Sequence, residues 1–305
     1  MTPAVSVVIP ARHAAHDLAV CLRAIRAQRL PTSSFEVLVV VDRDDEPTAE
    51  AAERYGARAV RQSGAGASSA RGAGVGQALG EWVAFTDADC VPSATWLARL
   101  LGAAQRTPGC VGVAGSTIGL DSRTSAARFV DLSGGLDAET YLRHPKYPWA
   151  PTCNVMYRRS DLARIGGVDS LTSHDGADLH LRLRRQVPGP FVFEPTAVVL
   201  HRHRPTWGEY FRQQRWYGKG YAQFLLKWNA EFPWTGRDEA RAWAGVLWQA
   251  MRPAIKDPSQ RLLWRGRLVK QLAQRIGFLE TYWRSAERQR WLASAPVENG
   301  AENKR

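Results

Sequence analysis

Apolar positions recur along this chain with two different periods. A β-branched run, Val5 to Ile9, is closed by Pro10, and Leu18, Cys21, Leu22, Ile25 and Gln28 follow at three- and four-residue spacing. That order predicts a strand and then an amphipathic helix. Phe35 to Val41 is a continuous apolar run, as in a strand buried on both faces, and it ends in the turn Asp42-Arg43-Asp44-Asp45-Glu46-Pro47 before a helical stretch from Thr48 to Tyr55. Ala57 to Val60 predicts a third strand, Ala70 to Leu79 a small-residue helix, and Glu81 to Thr86 a fourth strand that stops at Asp87-Ala88-Asp89. Alternation of this kind predicts an α/β domain with a mixed, mostly parallel sheet flanked by helices, whose ligands sit at the carboxyl ends of the strands. The pattern is less regular from Val111 to about Leu200. Strands are expected at Val111 to Ile118 and Phe191 to Val199 and one helix at Asp178 to Arg185, which we read as a second lobe. From Thr206 onward the period is helical, with an apolar face at Leu262, Leu268, Leu272, Ile276, Leu279 and Trp283.

Composition narrows the class. With 305 residues, 45% apolar and 23% charged, the chain suits one large or two modest globular domains and excludes disordered or fibrous architectures. Lys and Arg exceed Asp and Glu by 41 to 29, yet the balance is 21 to 20 through residue 200 and 20 to 9 beyond it. Nine of the 12 Trp lie in that same last third, so a near-neutral body carries a basic, Trp-rich helical extension. Cys21, Cys90, Cys110 and Cys153 show no C-x-x-C spacing, which argues against a zinc cage or a disulfide framework and for reduced thiols. MTPAVSVVIPAR has neither a basic leader nor a long apolar core, and no uninterrupted apolar run reaches about 18 residues. A cytoplasmic protein is expected, peripheral on the inner face of the membrane if the basic helix around Leu262 to Trp283 lies on anionic lipid. Packing of that helix on the domain, or on a second copy, is the alternative. Its aromatic residues follow helix periodicity and match no nucleic-acid-binding signature.

Three segments carry candidate chemistry. Asp87 and Asp89, directly after an apolar strand, offer hard oxygen ligands suited to Mn²⁺ or Mg²⁺ holding a diphosphate, although Asp89 can equally cap a helix. Asp42 ends the second strand, where a carboxylate can accept the ring N–H of a nucleobase, or simply belong to a solvated turn. Ser63 to Gly72 joins flexible backbone to a helix start bearing Arg71, a combination that suits a phosphate and also suits a linker.

In order along the chain, Val5-Ser6-Val7-Val8-Ile9-Pro10-Ala11-Arg12, Asp42, Ala70-Arg71-Gly72-Ala73-Gly74, Phe85-Thr86-Asp87-Ala88-Asp89, Arg158-Arg159, Gly166-Gly167-Val168-Asp169 and Asp178-Leu179 resemble the landmarks of family-2 glycosyltransferases of GT-A fold. The likeness spans about residues 4 to 225. It implies a nucleotide-sugar-binding half at 1–110, an acceptor-binding and catalytic half at 111–225, a helical extension at 226–293 and a disordered tail at 294–305. It implies an inverting transfer from a UDP, GDP or TDP sugar to an acceptor hydroxyl, with donor contacts at Pro10, Ala11, Asp42, Arg71 and Asp87. Metal ligands are implied at Asp87, Asp89 and His201, and acceptor contacts at Asn154 and Asp178. The family's acidic run before the catalytic helix reads His174-Asp175-Gly176-Ala177-Asp178-Leu179 here, with Gly176 at a usually acidic position, so the resemblance implies Asp175 as the general base, with Asp178 facing the acceptor or capping the helix. The alternatives are that Asp178 is the base or that both are helix-start acids held by the macrodipole. Arg202, Arg204, Arg212 and Arg215 are candidates to neutralise the leaving diphosphate, or form a solvated basic face. Arg212-Gln213-Gln214-Arg215-Trp216 resembles the Gln-x-x-Arg-Trp signature of processive synthases, but without membrane-spanning helices a single transfer is expected. A nucleotidyltransferase, or a noncatalytic sugar- or nucleotide-binding module of the same fold, are the alternatives.

Overall fold

A computed structural model describes residues 2–64, 66–251 and 257–294, with side chains to 285. Eight strands form one mixed sheet in the order β3-β2-β1-β4-β7-β6-β8-β5. The first half is parallel: β1 (Val5–Ala11) lies between β2 (Phe35–Asp42) and β4 (Trp82–Phe85), with β3 (Arg58–Gln62) outside β2. α1 (Ala15–Arg26), α2 (Glu46–Arg54) and α3 (Gly66–Gln77) make the crossovers. The chain leaves β1 toward β2 and β3 on one side and returns to β4 on the other. The crevice between β1 and β4 is therefore the switch point at which such sheets bind ligands.

Strand alternation sorts the core into two layers. Val5, Val7 and Ile9 of β1 and Val39 and Val41 of β2 pack with α1 and with α4 (Trp96–Arg106), while Val8, Leu38 and Val40 face α3 and α8 (Asp175–Gln186). Helices on both faces explain why these strands read as unbroken apolar runs. The region from Val111 to Leu200 is not a separate lobe. Its strands β6 (Gly112–Gly119), β7 (Val155–Arg158) and β8 (Phe191–His201) extend the same sheet, with β7 antiparallel between β4 and β6. A short strand, β5 (Cys90–Pro92), closes the far edge against β8. Two short helices, α5 (Ser125–Leu132) and α6 (Ala138–Leu142), follow β6, and α7 (Arg159–Arg164) follows β7.

The helical region begins at α9 (Trp207–Lys227), so the division expected at 225 falls inside this helix. α10 (Gly236–Ala250) and α11 (Pro258–Ser294) complete the layer. α9 and α11 cross so closely that a Cβ on Gly218 would lie 2.1 Å from the Gln274 carbonyl oxygen, and one on Gly277 1.9 Å from that of Arg215. Ala177 and Leu181 of α8 pack into this layer with Ala222, Phe224 and Phe278, whereas Leu179 and Leu183 face the sheet. α8 is thus fixed from both sides, and with it whatever its first turn carries. The face expected to be apolar on α11 is only half-buried at Leu262, Leu268, Leu272, Ile276 and Leu279, and Trp283 is exposed. The buried positions are instead Gly266, Ala273, Arg275, Gly277 and Phe278. No described helix is long and apolar enough to cross a membrane. The tail expected at 294–305 lies, beyond Ser294, outside the described residues.

Candidate active site

Arg71 organises the crevice. Its side chain projects from α3, is 5% exposed, and donates from one terminal nitrogen to Asp87 at 2.6 Å and from the other to Asp175 at 2.7 Å. Burial by itself would lower the guanidinium, but Asp175 and Asp87 more than offset it and keep the charge in place. One cation therefore ties the carboxylate that ends β4 to the carboxylate that starts α8. Sequence reasoning expected Arg71 at a flexible helix start and Asp175 on a loop. The helices in fact begin at Gly66 and at Asp175 itself.

His174 precedes Asp175 in the left-handed region, at φ 67°, and its half-buried imidazole is pushed down to about 4, chiefly by desolvation. Gly176 has a steric explanation. A Cβ there would meet the Ala150 carbonyl oxygen at 2.6 Å, so no side chain fits where the family usually has an acid. Asp175 uses Oδ2 for Arg71, and among the described residues no hydrogen bond engages Oδ1.

Asp178 does not face an acceptor. It is fully buried: Arg182 donates to Oδ2 at 2.8 Å, Trp228 Nε1 to Oδ1 at 3.0 Å, and Lys227 Nζ approaches Oδ1 at 2.5 Å. These contacts join α8 to the end of α9, so Asp178 is a structural ion-pair centre. Asn154 is likewise removed from the acceptor role. It is 1% exposed, accepts from Trp96 Nε1 at 2.8 Å, and donates to the carbonyls of Ser116 at 2.7 Å and Ala197 at 2.9 Å. Those carbonyls flank the register shift between β6 and β8, and the Asn154 amide satisfies the groups that the irregularity frees from the ladder.

On the donor side, Pro10 and Ala11 end β1 beside Val40 and Val41. Asp42, about one-third exposed, is 3.0 Å from Arg12 Nε and accepts from Gln62 at 3.4 Å. The unusual acidic turn after it also has a purpose. Asp45 caps α2 by accepting from Thr48 N and holds the β1–α1 loop through His13 N at 2.5 Å.

Asp89, Cys90 and His201 have ligand atoms within 4.8 Å of one another. The cross-strand pairing of Cys90 with His201 brings them together, and His201 Nε2 lies 3.6 Å from Asp89 Oδ1. Burial raises the Asp89 carboxyl, opposed by His201 and reinforced by the like charge of Asp87. A buried acid beside a second acid is an environment that a cation relieves. The imidazoles run in series. His203 Nε2 is 3.0 Å from Asp131, and His203 Nδ1 is 3.2 Å from His201 Nδ1. Donation from His203 Nε2 to Asp131 and from His201 Nδ1 to His203 leaves the His201 Nε2 lone pair facing Asp89, the tautomer a metal ligand needs. Asp89 and His201, expected as ligands, are brought together. Asp87 sits next to them but is engaged by Arg71. Of the basic cluster, Arg204 reaches Asp89 at 3.4 Å, whereas Arg202 pairs with Asp17, Arg215 pairs with Glu280 on α11, and Arg212 is exposed on α9.

Cys90 and Asp131 belong to this region and were not identified from sequence. Cys90 directly follows the D-x-D, a legible signal. Asp131 comes from α5 and carries no local motif.

The family model described as "Glycosyl transferase family 2" matches residues 6–166, more than half of the chain. The chain belongs to glycosyl transferase family 2. Among its relatives, glycosyltransferase AglE of Haloferax volcanii is 29% identical over 242 residues, covering 73% of this chain and 75% of AglE. Among solved structures, the mannosyltransferase PcManGT of Pyrobaculum calidifontis, in complex with GDP-Man and Mn²⁺, superposes with TM-score 0.67 at 18% identity, over 93% of this chain and 88% of that one. Glucosyl-3-phosphoglycerate synthase of Mycobacterium tuberculosis, with Mn²⁺, UDP-glucose and phosphoglyceric acid, gives TM-score 0.52 at 19% identity over 73% and 79%. The GT-A fold expected from sequence is therefore present, and the family 2 chain is a glycosyltransferase rather than a nucleotidyltransferase or a noncatalytic module.

Proposed function

We propose that this family 2 enzyme moves a single hexosyl residue, with inversion, from a nucleotide-diphosphate sugar to an acceptor hydroxyl, assisted by Mn²⁺ or Mg²⁺. The observation that carries the reading is the Arg71 bridge, which holds the donor-side Asp87 and the acceptor-side Asp175 at one guanidinium. Asp175 Oδ1 accepts the acceptor hydroxyl proton as that oxygen bonds to the anomeric carbon, and the bond from that carbon to the diphosphate oxygen breaks on the opposite side. Asp178, locked by Arg182, Lys227 and Trp228, takes no part in the transfer. Asp89 and His201, with Asp87 beside them, would hold the cation, whose charge stabilises the departing diphosphate. Pro10, Ala11 and Asp42 form the base and ribose wall. PcManGT and the phosphoglycerate synthase, with their GDP-Man or UDP-glucose and Mn²⁺, support a donor of this class.

A thermal-shift screen tests the donor reading. With Mn²⁺, one of UDP, GDP and TDP is expected to raise Tm in keeping with about 2.7 kcal/mol at 100 times its Kd, CMP to have no such effect, and EDTA to diminish the shift. A flat response to all three diphosphates would overturn it.

A cytoplasmic, membrane-peripheral position is our second reading. Leu247 and Met251 are exposed at the end of α10, and exposed Arg265 and Arg267 lie nearby on α11, a pairing suited to anionic lipid. Co-sedimentation with anionic vesicles is expected at low salt and should weaken as salt rises past about 0.1 M, where the screening length is about 10 Å. Absence of low-salt binding would refute it.

A further inference from the structure

A cavity of about 470 Å³ opens between α9, α10 and α11, within the range of about 300–1,000 Å³ usual for small-molecule sites. It borders the active site at His174, the residue before Asp175, which forms part of its wall. Tyr217, half-buried on α9 one turn before Tyr221, lines the same wall. α10 and α11 lie outside residues 6–166, the segment matched by the family model.

We propose that this cavity is an acceptor subsite for a saccharide, built by the α9–α11 layer beside His174, the residue that precedes Asp175. The inference rests on the glycosyltransfer reading above and adds the acceptor class to it. His174, Tyr217 and Tyr221 give the wall aromatic surface suited to the C–H groups of a pyranose, while Gln271 and Arg241 give it amide and guanidinium donors suited to hydroxyls. Arg275 is fixed in the wall by Glu239 at 2.9 Å and by stacking over Trp234 and Phe278. Arg241 and Gln271 are exposed on this wall, so the hydroxyls of a saccharide find polar partners there that an aliphatic chain would leave to water. The two guanidinium groups disfavour a cationic occupant.

Gly245 makes the cavity testable. It lines the wall, and a Cβ added there meets no atom within 4 Å, so a large side chain at this position projects into open space. Saturation-transfer NMR with methyl α- and β-pyranosides of glucose, mannose and galactose is the measurement, made on the full chain with Mn²⁺ and the nucleotide chosen by thermal shift. At least one pyranoside is expected to give signal with the wild type. Gly245→Trp should weaken that pyranoside by about tenfold or more, equivalent to about 1.4 kcal/mol, with the nucleotide-induced thermal shift retained. Gln271→Ala, at an exposed position, provides a second variant with the same direction if Gly245→Trp does not fold. Signal from no pyranoside, or pyranoside binding unchanged in the folded Gly245→Trp and in Gln271→Ala, overturns the proposal while leaving the donor reading intact. Loss of the nucleotide shift in the wild type would count against the donor reading instead.

Discussion

Asp175→Asn is expected to lower turnover by about 10²- to 10⁴-fold, the usual effect of removing a positioned base. Donor affinity should stay nearly constant. Asn keeps the shape of Asp and an oxygen to accept from Arg71, so the guanidinium retains Asp87 and a polar partner in place of Asp175. What is lost is the oxygen able to carry a proton. Asp178→Asn is the informative contrast. It removes the charge that Arg182 and Lys227 share in a fully buried site, and breaking a buried pair typically costs about 3–5 kcal/mol. A fall in Tm is expected there, with kcat per folded molecule near normal. If Asp175→Asn keeps wild-type turnover within a few fold and Asp178→Asn abolishes it, the two roles must be exchanged.

The first half of the fold was legible because each strand there is buried on both faces and each helix has one apolar stripe. Periodicity placed β1, β2, β4 and α1 to within a few residues, and the Asp at the ends of β2 and β4 followed from where the strands stop. From β5 onward the signals weaken for identifiable reasons. β7 is four residues long and β5 three, too short for a period to register. β8 crosses the irregularity that Asn154 plugs, so its alternation is interrupted. Asn154 and Asp178 illustrate a broader difficulty: a polar residue in a strand-rich or helix-start context reads as functional until its partners are known, and those partners lie on other elements. For Asn154 they are Trp96, Ser116 and Ala197. For Asp178 two of the three are Lys227 and Trp228, at the end of α9. Arg71 is the reverse case. Its position in a small-residue helix suggested a phosphate contact, and only tertiary structure reveals that it links two carboxylates 88 residues apart, at 87 and 175.

The imidazole series yields the second large effect. If cation binding at Asp89 and His201 supports the diphosphate, Asp89→Ala should lose both cation and donor affinity, and chelation should abolish transfer. Those outcomes alone would not distinguish a ligand from a residue that merely shapes the crevice. His203→Ala does. His203 is not offered as a ligand. When it donates from Nε2 to Asp131, its Nδ1 is left to accept from His201 Nδ1, which fixes the His201 nitrogen that carries the proton. Without it His201 is free to place a proton on Nε2, the atom that must present a lone pair beside Asp89. Loss of such an orienting partner typically lowers cation affinity or activity by about 10- to 100-fold. Titration of Mn²⁺ followed by electron paramagnetic resonance should therefore record a weaker Kd in His203→Ala. Excess Mn²⁺ should restore transfer, because Asp89 and His201 themselves remain. An unchanged Mn²⁺ affinity in a folded His203→Ala protein would remove His201 from the ligand set and leave the carboxylates to hold the cation alone.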